Sequence, residues 1–221
     1  MTPDPNINDA RHQLQQVGKS MVEHRLAWGN AGNISARTAP DRFLITATGT
    51  RLDELAPDDL VECDFDGSYE GERRPSKEIP MHRAVYEERP EINVVLHASP
   101  FYSTLFACSK EAIPGDLFVE DMYYLERVAR VPYFNPGTQA LGDAVSEQAA
   151  NANILLLENH GVLVYDVNVK EAFMALQVLE YTCRMLVSAS SAGIALAHLP
   201  PATVSDFLNK AGYKPRRQWS S

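Results

Sequence analysis

The chain has 221 residues, 45% of them hydrophobic, enough to bury a core as one domain. Its formal net charge of -9 argues against nucleic acid or an anionic membrane as the main partner, but not against a small anionic substrate in a local positive pocket. Cys63, Cys108 and Cys183 are odd in number and form no CxxC pair, the pattern of free thiols in a reducing compartment. The opening MTPDPNINDA lacks a basic segment followed by an apolar one. No apolar run approaches the roughly 18–20 residues of a membrane span, so the expectation is a cytoplasmic protein.

Residues 1–6, polar with two prolines, read as a loose tail. Ile7, Ala10, Leu14, Val17 and Met21 follow helical spacing, with Asn8 or Asp9 as a cap. WGNAGNIS then breaks the helix with two glycines. FLITAT (43–48) reads as a strand ending at the turn-prone Gly49, and VECDFDG (61–67) as a strand running into a turn. IPMHRAVYEER (79–89) has helical spacing, with Pro80 tolerated near its start. INVVLHA (92–98) is a short apolar strand, FYSTLFACS (101–109) a helix, VARVPYF (128–134) a strand, and 137–152 a helix. ILLLENHGVLVYD (154–166) reads as two strands joined tightly at Asn159-His160-Gly161. A long amphipathic helix covers 169–192, its stripe of Phe173, Leu176, Leu179 and Met185 assigned to the core. A last short helix spans about 203–211, and the basic end, 214–221, reads as a loose or interface tail. Strands and helices interleave without repeats or linkers. The expected fold is a single α/β domain over 1–221, a three-layer α/β/α sandwich. Its central sheet should be mixed and mostly antiparallel, because several turns are too short for crossover helices.

Three groups of residues could carry chemistry. His97 and His160 each end an apolar run beside a turn signal, and neutral imidazole is a common ligand for divalent metals. Ser76, Lys77 and Glu78 precede a helix, where free N–H groups favour anions and Glu78 could serve as a general base. The same residues also suit a plain helix start. The loops NAGNIS (30–35) and TGT (48–50) could cradle a phosphate or carboxylate with backbone N–H groups, or simply turn the chain.

The order of these signals, with AGNIS, ITATGT, PSKEIPMH, NVVLHAS, PGT (136–138) and ENHGVLV at their spacing, resembles the class II aldolase/adducin family over about residues 10 to 190. L-Fuculose-1-phosphate aldolase and L-ribulose-5-phosphate 4-epimerase are familiar members. The resemblance implies the three-layer subunit, a homotetramer with interfacial active sites, and a divalent metal held by three histidines. Zinc is the first choice, with manganese or iron(II) as alternatives. Carried over, the ligand positions are His97, Ser99 and His160. Glu78 matches the catalytic carboxylate, and Asn33, Thr48, Gly49, Ser76 and Lys77, with Gly32 in the same loop, match the phosphate-binding positions. Two departures stand out. Ser99 replaces a histidine ligand, and a neutral hydroxyl is a poor zinc ligand, so a carboxylate is expected to complete the set: Glu78, or Glu120 or Asp121 from DLFVEDMYYLE. Lys77 adds a full positive charge where the sugar-phosphate aldolases often carry serine. Tyr123 and Tyr124 are candidates for the proton donor that the family draws from a neighbouring subunit.

The function implied is a metal-dependent lyase, by aldol cleavage or decarboxylation, on a small anionic, phosphorylated sugar or sugar-acid carbonyl compound. The alternatives are a non-catalytic adducin-like protein and a metal-dependent epimerase or oxygenase.

Overall fold

The computed structural model describes residues 7–219. Helices α1 (Ile7–Glu23), α2 (Ile79–Glu88), α3 (Phe101–Ala107), α4 (Val119–Tyr124), α5 (Gln139–Ala149), α6 (Val169–Ala192) and α7 (Pro201–Lys210) are interspersed with strands β1 (Asn33–Ala39), β2 (Arg42–Thr46), β3 (Leu60–Asp64), β4 (Val94–Ala98), β5 (Val128–Val131), β6 (Ile154–Leu157) and β7 (Gly161–Asp166). The strands form one sheet in the order β3-β2-β1-β4-β7-β6-β5. Every pairing is antiparallel except β5 with β6, whose connection runs through α5, as a parallel crossover requires.

Side-chain alternation along the strands builds two separate cores. Ile34, Leu44, Leu96, Ile154 and Val164 face α1, α3, α4 and α6. Ile45, Val61, Val95, Leu155 and Tyr165 face α2 and α5. The molecule is therefore the expected three-layer α/β/α sandwich, and the strands carry apolar side chains on both faces because both faces are covered.

Four local readings change. β1 appears where the sequence suggested only a glycine-broken loop; its outward-looking polar residues Ser35 and Arg37 are in fact buried. Helix α4 forms in a stretch with no assigned element. Asn8 and Asp9 lie inside the first turn of α1 rather than ahead of it. On α6, Leu176 and Leu179 are fully buried, but Met185 only lines a surface cleft beside the exposed Tyr181.

The basic C-terminal stretch is not loose over the part described. Lys214 donates to Glu171 (2.7 and 2.8 Å), Arg216 pairs bidentately with Glu126, and Arg217 pairs with Asp166 and donates to the Tyr123 carbonyl. Composition favoured solvent there, but acidic side chains just past α4 (Glu126), on α6 (Glu171) and on β7 (Asp166) supply local counter-charges. Residues 1–6, read as a tail from the sequence, lie outside the described residues, as do 220 and 221.

Candidate active site

The sheet's pairing register assembles the site. Asn33 at the start of β1 lies opposite His97 near the end of β4, and Ala98 pairs with Val162 just after the β6–β7 turn that carries His160. That turn closes over Asn159 in the left-handed region, φ 55°, a conformation asparagine tolerates. Gly32 has φ +94°, and a Cβ there would lie 2.7 Å from the His97 carbonyl oxygen, so only glycine lets the loop approach β4 this closely. A bridge between Ala47 and Pro75 sets the 48–50 loop beside residues 76–78, and the Thr48 hydroxyl donates to the Pro75 carbonyl at 2.8 Å.

These contacts bring Gly32, Asn33, Thr48, Gly49, Ser76, Lys77, Glu78, His97 and His160 around one cleft of about 360 Å³, which Ser99 and Pro136 also line. Glu78, His97 and Ser76 are buried, His160 is partly buried, and Lys77, Thr48 and Gly49 stand exposed at the rim.

At the floor, Glu78, His97 and His160 each offer one ligand atom, all within 4.8 Å of one another. Glu78 Oε2 lies 3.5 Å from His97 Nε2, and Oε1 lies 3.3 Å from His160 Nε2. The Val162 carbonyl can only accept, so His97 Nδ1 donates to it at 3.0 Å. In the neutral ring Nε2 is then a lone pair facing a carboxylate oxygen. Glu78 Oε1 is buried and accepts no hydrogen bond. Such an oxygen costs about 1–3 kcal/mol or more when left unsatisfied. Converging lone pairs with an orphaned carboxylate oxygen fit a divalent cation, and the His97–Val162 bond is the kind of outer contact that orients a metal-binding imidazole. Two imidazoles and a carboxylate suit zinc, manganese or iron(II).

Other residues singled out in the sequence do not join this cluster. Ser99 sits on the cleft wall with its hydroxyl 3.4 Å from the His160 carbonyl. Glu120 lines a separate cleft with His24, Leu26, Tyr181 and Arg184. The Asp121 carboxylate caps its own helix, accepting from the backbone N–H groups of Leu117 and Phe118. Tyr123 and Tyr124 are buried near the Asp166 end of β7, opposite the end that carries Gly161 and His160. Their hydroxyls donate to the Pro215 carbonyl (3.1 Å) and Glu171 (2.9 Å). Among the described residues, Glu78 is the acid that joins the two histidines.

Behind Glu78 runs a buried polar chain that the sequence reading missed. Asn33 Nδ2 donates to Glu78 Oε2 (2.6 Å); His82 Nε2 lies 2.6 Å from Asn33 Oδ1; Ser35 Oγ lies 2.7 Å from His82 Nδ1 and 2.8 Å from the Tyr86 hydroxyl. The signal was present as a spacing. Glu78, at the N-cap of α2, and His82 and Tyr86 on it recur every four residues, and Asn33, Ser35 and Arg37 every two along β1. Four helical residues advance about 6 Å and two strand residues about 6.8 Å, so the two rows interdigitate.

His82 is fully buried, and desolvation, with His97 adding, pushes its pKa down from 6.5 to about 3. Burial, then His97, lower His160 as well, against the opposing pull of Glu78. Below about pH 6.5 the unfolded chain takes up a proton that folded His82 refuses, so stability is full above that pH and falls as pH drops toward 3. The slope from His82 is about 1.4 kcal/mol per pH unit. In urea titrations of metal-free protein the midpoint should fall steadily with acidification below about pH 6.5, and the fall should be shallower in His82→Gln. A flat profile would contradict a neutral buried ring.

Comparison with known proteins places the chain consistently. The Class II Aldolase and Adducin N-terminal domain model matches residues 12–187. The 3-oxo-tetronate 4-phosphate decarboxylase of Haemophilus influenzae is 31% identical over 202 residues, covering 89% of this chain and 95% of that enzyme. The 5-deoxy-D-ribulose 1-phosphate aldolase of Bacillus thuringiensis is 31% identical, covering 85% of this chain and 88% of that one. Among solved structures, an L-fuculose 1-phosphate aldolase superposes with a TM-score of 0.81 at 29% identity, over 93% of this chain and 97% of its own.

Proposed function

Because this chain belongs to the class II aldolase and adducin N-terminal domain family, we propose that it is a divalent-metal-dependent carbon–carbon lyase. Its substrate is a small phosphorylated sugar or sugar-acid carbonyl compound, cleaved by retro-aldol reaction or decarboxylation. The observation that carries the reading is the convergence of Glu78, His97 and His160 beneath a polar rim that includes Lys77. Intact, that cluster speaks against a non-catalytic, adducin-like role. The cleft, about 360 Å³, suits a small metabolite.

His97, His160 and Glu78 would hold the ion, zinc being our first choice. A bound divalent ion supplies Lewis acidity toward charge developing on a carbonyl oxygen. The chain's own residues do the rest. Lys77, Ser76, Thr48 and the backbone at Gly32 and Gly49 bind the remote phosphate or carboxylate and so align the reacting bond. Asn33 occupies Glu78 Oε2, so Oε1, the oxygen without a partner, would face the ion in the substrate-free site and give or take the proton at substrate carbon once substrate is bound. Tyr123 and Tyr124 would take part only from a neighbouring subunit, since their own site lies at the far end of the sheet. The family resemblance supports a homotetramer, and the three free cysteines support a cytoplasmic setting.

The test is to supply zinc- or manganese-loaded protein with 3-oxo-tetronate 4-phosphates, following CO2 release, and with ketose 1-phosphates, following aldehyde and dihydroxyacetone phosphate. Turnover of either class is expected; activity on neither overturns the lyase reading. On the accepted substrate, Lys77→Ala should raise KM about tenfold and leave kcat nearly unchanged, because an exposed charge at the rim contributes binding common to ground and transition states.

A further inference from the structure

We propose that His82 is a positioning residue which, backed by Ser35 and Tyr86, locks the Asn33 amide with its NH2 group toward Glu78. The inference rests on the reading of Glu78 as the working carboxylate. Its argument is a chain of forced hydrogen-bond directions. A carboxylate can only accept, so Asn33 must present Nδ2 to Glu78, at 2.6 Å. Asn33 Oδ1 then faces His82 and must accept, so the proton of the neutral ring sits on Nε2. His82 Nδ1 is therefore an acceptor, and Ser35 donates to it. With its own proton spent, Ser35 accepts from Tyr86, whose hydroxyl burial keeps protonated. Ser35, His82 and Tyr86 are each at most 1% exposed, so no water competes for these bonds.

The consequence falls on Asn33. An asparagine amide has two nearly equivalent orientations related by half a turn. Turned the other way, Oδ1 would face a carboxylate oxygen and Nδ2 would face the His82 N–H, replacing two hydrogen bonds by two repulsions. The fixed tautomer of His82 forbids that rotation. Glu78 Oε2 is held in place, and Oε1 stays directed among the histidines. His82, Ser35 and Tyr86 do not line the cleft; their effect passes through Asn33, which does.

Two measurements on metal-free protein test the idea without turnover. In long-range proton–nitrogen correlation spectra of histidine-labelled protein, one of the six imidazoles should show the neutral Nε2–H form and vanish in His82→Gln. Finding His82 as the Nδ1–H form overturns the proposal. The second is titration with Zn2+ alone against a chromophoric chelator. His82→Leu should bind about 10–100-fold more weakly, whereas His82→Gln, which retains a donor toward Asn33, should stay within about threefold of the parent. Ser35→Ala, which frees the ring to change tautomer while keeping it, should fall between them, and it substitutes if His82→Leu does not fold. Parental zinc affinity in His82→Leu and Ser35→Ala, or equal losses in the Leu and Gln variants, reduces His82 to packing. If the parent itself takes up no Zn2+, the metal reading of the site fails, and the tautomer alone decides the proposal.

Discussion

Glu78→Gln should lower kcat by about 10²–10⁴-fold, the contribution of a positioned proton-transfer group, while leaving the fold intact. The structural argument for both halves is specific. Glutamine can keep its carbonyl oxygen as the acceptor for Asn33 Nδ2, so the buried chain to Tyr86 survives. Its amide group then occupies the place of Oε1, 3.3 Å from His160 Nε2, where it can donate to a neutral ring. The orphaned carboxylate oxygen disappears, so metal-free variant protein should be as stable as the parent or about 1 kcal/mol more so. What it loses is the ability to carry a proton to or from carbon, and an anionic ligand. Steady-state rates on the metal-loaded enzyme, with urea melts on the metal-free one, separate the two effects. Turnover at the parental rate removes Glu78 from proton transfer.

His160→Ala should abolish retention of metal. Protein purified without chelators is expected to carry about one divalent ion per chain by elemental analysis, and the variant almost none, since a single imidazole and a carboxylate make a weak site. His160 is the better position to substitute. It sits in a turn and is partly exposed, whereas His97 is 2% exposed and bonded into the sheet through Val162. A thermodynamic readout accompanies the composition. Zn2+ at about 100 times its Kd should stabilise the parent against unfolding by about 2.7 kcal/mol and leave His160→Ala unmoved. Equal metal content in both proteins would place the ion elsewhere. No metal in the parent, even when divalent ions are supplied, would turn the reading toward a non-catalytic relative.

Local chemistry explains what could be read early. The hairpin carrying His160 was legible because two unbroken apolar runs flank Asn-His-Gly, and long α6 because its spacing persists over many turns. Lys77, Ser76, Thr48 and the glycine loops were legible as residue types suited to anions. β1 was not, because its alternation reads polar-out until α2 covers it. The His82–Ser35–Tyr86 chain was hidden for the same reason. Each residue is unremarkable on its own element, and only the near-match of helix and strand rise makes the rows mesh. The C-terminal stretch reads as a loose or interface tail because its counter-charges, Glu126, Asp166 and Glu171, are remote in sequence.

By itself, the sequence determined the layered α/β architecture and the set of residues able to carry chemistry, since periodicity and side-chain type are local properties. Only the tertiary structure decided which acid lies beside both histidines. Glu78 reaches His97 and His160 because β4, β7 and the start of α2 converge at one end of the sheet. Glu120, equally acidic, is carried to another cleft by α4. Ligand identity is chemistry, but ligand convergence is geometry, and geometry depends on sheet register and helix packing, which no single segment encodes.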